Sequence, residues 1–149
     1  MNKFLITLLV LVVLATGIYF VIGLFNSNLP KLTITFGEKK LEVERGSYCW
    51  DGLLNSICAD TISPPMLVEH HKIKPVIVST GSELKIEFKI EPKENTLGVN
   101  RWLSNSEVEN VSLSNNILTV PKEKGVYIYD VHAGWDKGSS SYAFVIEVK

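Results

Sequence analysis

The sequence predicts an all-β domain, an immunoglobulin-like antiparallel β-sandwich, carried behind one N-terminal transmembrane helix. Three observations predict it. Residues Phe4 to Phe25, FLITLLVLVVLATGIYFVIGLF, are uncharged, and as a helix they reach ~33 Å against a hydrocarbon core of ~30 Å. Beyond them the chain alternates apolar and polar residues in short runs, broken by turn residues at roughly 8–12-residue intervals. No segment outside the first shows the apolar periodicity of an amphipathic helix of three turns.

Residues 1–25 read as an uncleaved signal-anchor, 26–31 as a polar linker, and 32–149 as the β-sandwich domain. Val13-Leu14-Ala15 would pass as a small-residue cleavage site, so a cleaved signal peptide is the rival reading. The apolar run continues past Ala15 to Phe25, however, where a signal peptide turns polar. No lipobox cysteine is present, since the first cysteine is Cys49. Lys3 before the helix, against Lys31, Lys39 and Lys40 beyond it, gives only a weak preference for orientation.

Leu32, Ile34 and Phe36 share one face of a strand, and Gly37-Glu38 turns the chain into a second strand over residues 40–44, which Gly46 ends. The two prolines of SPPM at 63–66 exclude a helix interior or a central strand, while Met66-Leu67-Val68 suits a short helical turn. Strands follow over 76–79 and 83–91, the second with Leu84, Ile86, Phe88 and Ile90 alternating with charged residues. Weaker strands are predicted over 100–103, 108–113 and 117–120, with a turn at Asn115-Asn116. The chain closes with a long strand, 126–135, a DKGSS turn, and a last strand over 142–148. From these nine runs a sandwich of seven or eight strands is expected.

Cys49 and Cys58, the only cysteines, are separated by eight residues. A thioredoxin-type redox pair needs C-x-x-C, so that reading fails. Zinc would need two further ligands, and Cys-x8-Cys followed by His70-His71 has no usual zinc spacing. Two free thiols in a cytoplasmic domain remain the other alternative. The pair reads best as a disulfide in an exported domain, with Trp50-Asp51-Gly52 beginning the turn that returns the chain. Closing this loop is worth roughly 2.5–3 kcal/mol in the chain-entropy model. The disulfide favours a short inside N-terminus and a domain outside the cytoplasm.

Net charge is −1 for the whole chain, and −2 once Lys3 is left out with the anchor. Such a surface has no steering field and no basic patch, which excludes nucleic acid as a partner class. No G-x-S-x-G elbow, H-E-x-x-H helix, phosphate loop or paired-carboxylate signature occurs. The chain therefore reads as non-enzymatic, with no cofactor.

Three stretches, GSYCW, ICAD and PKEKGVYIYDVHAGWDKGSSSYAFVIEV, resemble small envelope proteins of Bacillus and related Firmicutes. Those proteins carry a lipobox or membrane helix followed by one β-sandwich-like domain. The resemblance spans roughly residues 32–148. It implies location and fold, and no activity. This chain departs from the lipoprotein members in lacking the lipobox cysteine.

The function expected is that of a membrane-tethered extracytoplasmic binding module of the cell envelope, held in the membrane by residues 4–25. Its partner class is another envelope protein or a wall polymer. Trp50, Asp51, Trp102, Tyr142 and the 52–57 loop are the candidate contacts, because tryptophans near loops make good interface anchors. The face of Tyr127, Tyr129, Val131, Ala133 and Trp135 reads either as sandwich core or as an aromatic platform. The alternative function is a metal-binding domain using His70, His71, Asp130 and His132, the last two pointing to one side of a strand.

Overall fold

The computed structural model describes residues 2–25, 29–52 and 55–149, with residues 22–25 as backbone only. The chain is all-β behind one N-terminal helix, α1 (Lys3–Phe25). From Lys3 to Val21 its mean hydropathy is 2.7 and no residue is buried against the rest of the protein. Between residues 4 and 21 the only polar side-chain groups are hydroxyls, those of Thr7, Thr16 and Tyr19. Thr7 and Thr16 donate theirs back to the carbonyls of Lys3 and Val12, at 3.0 and 2.8 Å, a bond that lowers the cost of a hydroxyl in apolar surroundings.

Two sheets pack face to face. The smaller contains β1 (Leu32–Phe36), β2 (Lys39–Lys40), β6 (Glu83–Phe88) and β9 (Ile117–Thr119), in the order β2-β1-β6-β9. The larger contains β3 (Glu44–Asp51), β4 (Ser56–Ala59), β7 (Gly98–Trp102), β8 (Val108–Val111), β10 (Gly125–Trp135) and β11 (Gly138–Val148). Its order is β4-β3-β11-β10-β7-β8, and β5 (Val76–Val78) runs parallel to the last residues of β11. Strict alternation sets the register. In β6 Leu84, Ile86 and Phe88 are buried and Glu83, Lys85 and Glu87 exposed, so a slip by one residue would put three charges in the core.

One core fills the space between the sheets. Ile34, Leu84, Ile86 and Leu118 come from the smaller sheet, and Val99, Tyr129, Val131, Phe144 and Ile146 from the larger. Tyr129 stacks on Phe144 at 5.2 Å between ring centroids. The face of Tyr129, Val131, Ala133 and Trp135 is therefore sandwich core, not an aromatic platform. The Tyr142 hydroxyl donates to the carbonyl of Pro30. Pro30 is buried and Leu29 packs on the core, so both belong to the domain and not to the predicted linker. Linker residues 26–28 lie outside the described residues.

A second, smaller core lies on the outer face of the larger sheet. There α2 (Pro64–His71) sets Leu67 and Val68, followed by Ile73, against Ala143, Val145 and Ile128. The prolines that exclude a helix interior sit in its first turn, where no N–H is needed. Lys72, at φ 54°, ends the helix in the left-handed conformation, with its N–H donated to Glu69 and that of Ile73 to Val68.

Several boundaries differ from expectation. The described residues hold eleven strands, some only two or three residues long. The predicted strand 40–44 is split, with Lys40 in β2, Glu44 already in β3 and 41–43 between them, and Gly46 lies inside β3 instead of ending a strand. Gly46 is needed there because a Cβ would meet Ser141 Oγ at 2.5 Å, opposite a bulge in β11 between Ser140 and Tyr142. Trp50 and Asp51 are strand, and the chain turns after Gly52, whose N–H bonds Asn55. The GSSS run belongs to β11, since the tight turn is made by Asp136-Lys137 alone.

Cys49 and Cys58 face each other across β3 and β4 and are disulfide-bonded. Both are solvent-exposed, and the bond clamps the edge strand β4, which buries little of itself, onto β3. Replacing both by serine is expected to cost about 2–3 kcal/mol of stability, read by guanidinium unfolding of the full-length protein. A cost under about 0.5 kcal/mol would mean that the hairpin is held by its strand pairing alone.

Burial raises two tyrosine hydroxyls. That of Tyr129 is pushed up to about 12 from an ordinary value of 10, and that of Tyr142 is raised for the same reason. A tyrosine whose pKa is higher folded than unfolded stabilises the fold fully below its unfolded value. That stability is lost as pH rises through the folded one. Stability is therefore expected to hold to about pH 10 and to fall towards pH 12. Tyrosinate absorbance should lag behind that of free tyrosine until unfolding releases both groups; simple titration near pH 10 of all the tyrosines would contradict this.

Candidate functional site

The outer face of the larger sheet is apolar where α2 covers it and polar beside that helix. Period 2 along β10 places Ile128, Asp130 and His132 on this face, and Gly98, Asn100 and Trp102 of the neighbouring β7 share it. Ser141 stands beside His132 on the other side, on β11. The segment leading into α2, residues 61–64, rises over these strands together with Leu67, and Gly46 and Ser47 of β3 close the far side. The result is an open cleft of ≈ 470 Å³ with Asn100, Trp102, Asp130, His132 and Ser141 in its floor. This volume lies within the ~300–1,000 Å³ usual for small-molecule sites.

Asp130 is the centre of the floor. It is one of two buried polar residues among those described, 7% exposed. Its Oδ1 accepts the Trp102 indole N–H at 2.6 Å. Its Oδ2 has two longer contacts, Asn100 Nδ2 and His132 Nδ1, each at 3.4 Å. Asn110 on β8 in turn donates to Asn100 Oδ1 at 3.4 Å. The carboxylate thus fixes the ring plane of Trp102 and ties β10 to β7 below the cleft, with β8 joined through Asn100. His132 leans over Gly98, where a Cβ would come within 2.3 Å of Nε2. The glycine is what lets the imidazole lie flat on β7. That tilt takes Nε2 away from Ser141, whose hydroxyl is donated to the Ser47 carbonyl at 3.1 Å. Ser141, His132 and Asp130 therefore lie near one another without the serine-to-histidine bond of a nucleophilic triad.

The expected contact residues are scattered. Trp102 presents its side chain to the cleft. Trp50 is 7% exposed and packs edge-on to Trp135 in the main core, so it is not an exposed anchor. Tyr142 is likewise buried, its hydroxyl committed to Pro30. Both follow from strand parity, because residues 48, 50 and 142 point inward. Asp51 is exposed at the tip of the β3–β4 hairpin, where Ser56 donates to it at 2.5 Å. Of the 52–57 loop, Leu53 and Leu54 lie outside the described residues, and Ile57 is 54% exposed.

The four residues of the metal alternative are not brought together. His70 and His71 end α2, their rings 5.1 Å apart, and His71 Nδ1 lies 3.9 Å from Glu44. Asp130 and His132 are in the cleft floor. Among the described residues no group of three or more His, Cys, Asp or Glu is arranged to hold a metal ion. Sequence reasoning paired Asp130 with His132 correctly, by strand parity. It missed Asn100, Ser47 and Ser141 as their neighbours, which needed the order β3-β11-β10-β7, and it missed α2 as the cleft wall.

Fold and site together define an all-β, sandwich-like domain with an outer-face cleft, behind one apolar helix long enough to cross a membrane. No family model, no curated protein and no solved structure matches this chain.

Proposed function

We propose that this is a membrane-tethered binding module of the cell envelope, of the kind its sequence resembles, working outside the cytoplasm without catalysis. It takes its ligand in the cleft beside α2. The observation that carries the reading is the floor of that cleft. A buried carboxylate, an ordered indole, an amide and an imidazole form one hydrogen-bonded group that no core packing requires. Polar groups placed so on a rigid sheet, under an apolar wall, suit recognition.

The tether supports the same reading. Only residues 26–28 separate the end of α1 from Leu29, which already packs on the domain. Four residue steps reach at most ~14 Å. The chain enters the sandwich at the end that carries the β3–β4 loop, since Leu29 lines a hollow there with Tyr48, Trp50 and Ile57. This end faces the bilayer, and the domain is confined close to it. Confinement raises its effective concentration for neighbours in the same envelope. The exposed disulfide fits an oxidising compartment.

Site-specific photo-cross-linking in living cells tests the binding half. A photoreactive residue replaces Thr61, exposed on the cleft rim, or Thr35, on the opposite sheet. A repeated adduct from position 61, absent from position 35 and lost on Trp102→Ala, is expected. Equal labelling from both positions, or none from 61, would remove the cleft as the working surface.

A further inference from the structure

We infer that the cleft takes a protonated primary amine carried on a hydroxylated body, such as a de-N-acetylated amino sugar, with Asp130 as its counter-ion. The inference rests on the cleft being the binding site. A carboxylate buried in protein is costly unless charge or hydrogen bonds compensate it. Asp130 has one strong neutral donor, Trp102, at 2.6 Å. Its Oδ2 has only the two contacts at 3.4 Å. A carboxylate offers about four lone-pair sites, so Oδ2 keeps acceptor capacity on the cleft side. No lysine or arginine lines the cleft, and the only ion-pair partner of Asp130 among the described residues is His132. The site therefore holds a negative charge that the protein does not fully neutralise.

An ammonium group matches that deficit. It supplies three donors and a full positive charge, and the partly exposed Trp102 ring beside it adds a cation–π surface. An anionic ligand would be repelled. The hydroxyls of Ser47, Thr61 and Ser63 on the surrounding wall suit the hydroxyls of a sugar ring better than an apolar amine.

The test uses the full-length protein in lipid nanodiscs with 15N-labelled indoles. The Trp102 signal, assigned by Trp102→Phe, reports directly, because that N–H is bonded to Asp130. Glucosamine trisaccharide is titrated against its fully N-acetylated counterpart, which keeps the ring and loses the charge. The amine form is expected to shift the Trp102 signal, with binding at least about tenfold tighter than the acetylated form. Asp130→Asn should abolish the difference. Where that variant fails to fold, the two sugars on the natural protein still decide. Equal binding of both would overturn the ammonium inference and leave a sugar-binding cleft. No shift with either sugar, while position 61 still cross-links, would overturn the inference and leave the binding module standing. Failure of both experiments would remove the site itself.

Discussion

Replacing Phe144 by alanine is expected to lower the unfolding free energy by about 3–5 kcal/mol, a large part of the ~5–15 kcal/mol that holds an ordinary domain together. Phe144 is fully buried in β11, the strand that pairs with β10, β3 and β5. Its ring stacks on Tyr129, so truncation leaves a cavity bounded by side chains from several strands, which cannot all close in. Guanidinium unfolding followed by tryptophan fluorescence measures the loss. Trp135 and Trp50 report on the same core. A loss below about 1 kcal/mol would mean that the two sheets are held together elsewhere.

The second large effect is local. Leu67→Asp should release α2 from the sheet and abolish ligand capture while the sandwich stays folded. Leu67 is 5% exposed and packs in the small outer cluster with Val68, Ile73, Ala143, Val145 and Ile128, apart from the main core. Burying that side chain is worth roughly 1.5–3 kcal/mol, and a carboxylate in its place cannot be buried unpaired. The helix has eight residues, too few to persist alone in water. Its loss takes away the wall of the cleft and leaves Trp102 and Asp130 on an open sheet. Hydrogen exchange should rise in residues 66–73 and stay slow in β10 and β11, and the adduct from position 61 should disappear. Exchange that rises equally in β10 would show that the outer cluster and the main core unfold as one unit.

The contrast between these two variants matches what the sequence made legible. Period 2 identified most strands and the inward face of β10, because alternation is a local consequence of one face being buried. Leu84, Ile86 and Phe88 are the clearest case. The same parity put Asp130 beside His132. Long-range pairing was not legible. Gly46 looked like a strand end because its reason, the approach of Ser141, comes from a residue ninety-five positions away. Trp50 looked like an exposed anchor because its partner, Trp135, is brought over by the β3-β11-β10 order. The short α2 carries too few turns to show a period, and its wall over the floor exists only in three dimensions. A site assembled from β3, β7, β10, β11 and α2 has no continuous motif to find.

The proposed function depends on the domain standing outside the cytoplasm, attached to the membrane. One measurement addresses both conditions. Intact cells carrying the full-length protein are treated with a thiol-blocking reagent, then reduced with a membrane-impermeant phosphine, then labelled with an impermeant maleimide. Membranes are collected after carbonate washing. Cys49 and Cys58 are disulfide-bonded and exposed, so both should escape the block, label only after reduction, and remain with the membrane pellet. Thiols blocked at the first step by a permeant reagent, and never reached by the impermeant one, would put the domain inside and contradict the account. Labelled protein in the soluble fraction would contradict the tether alone.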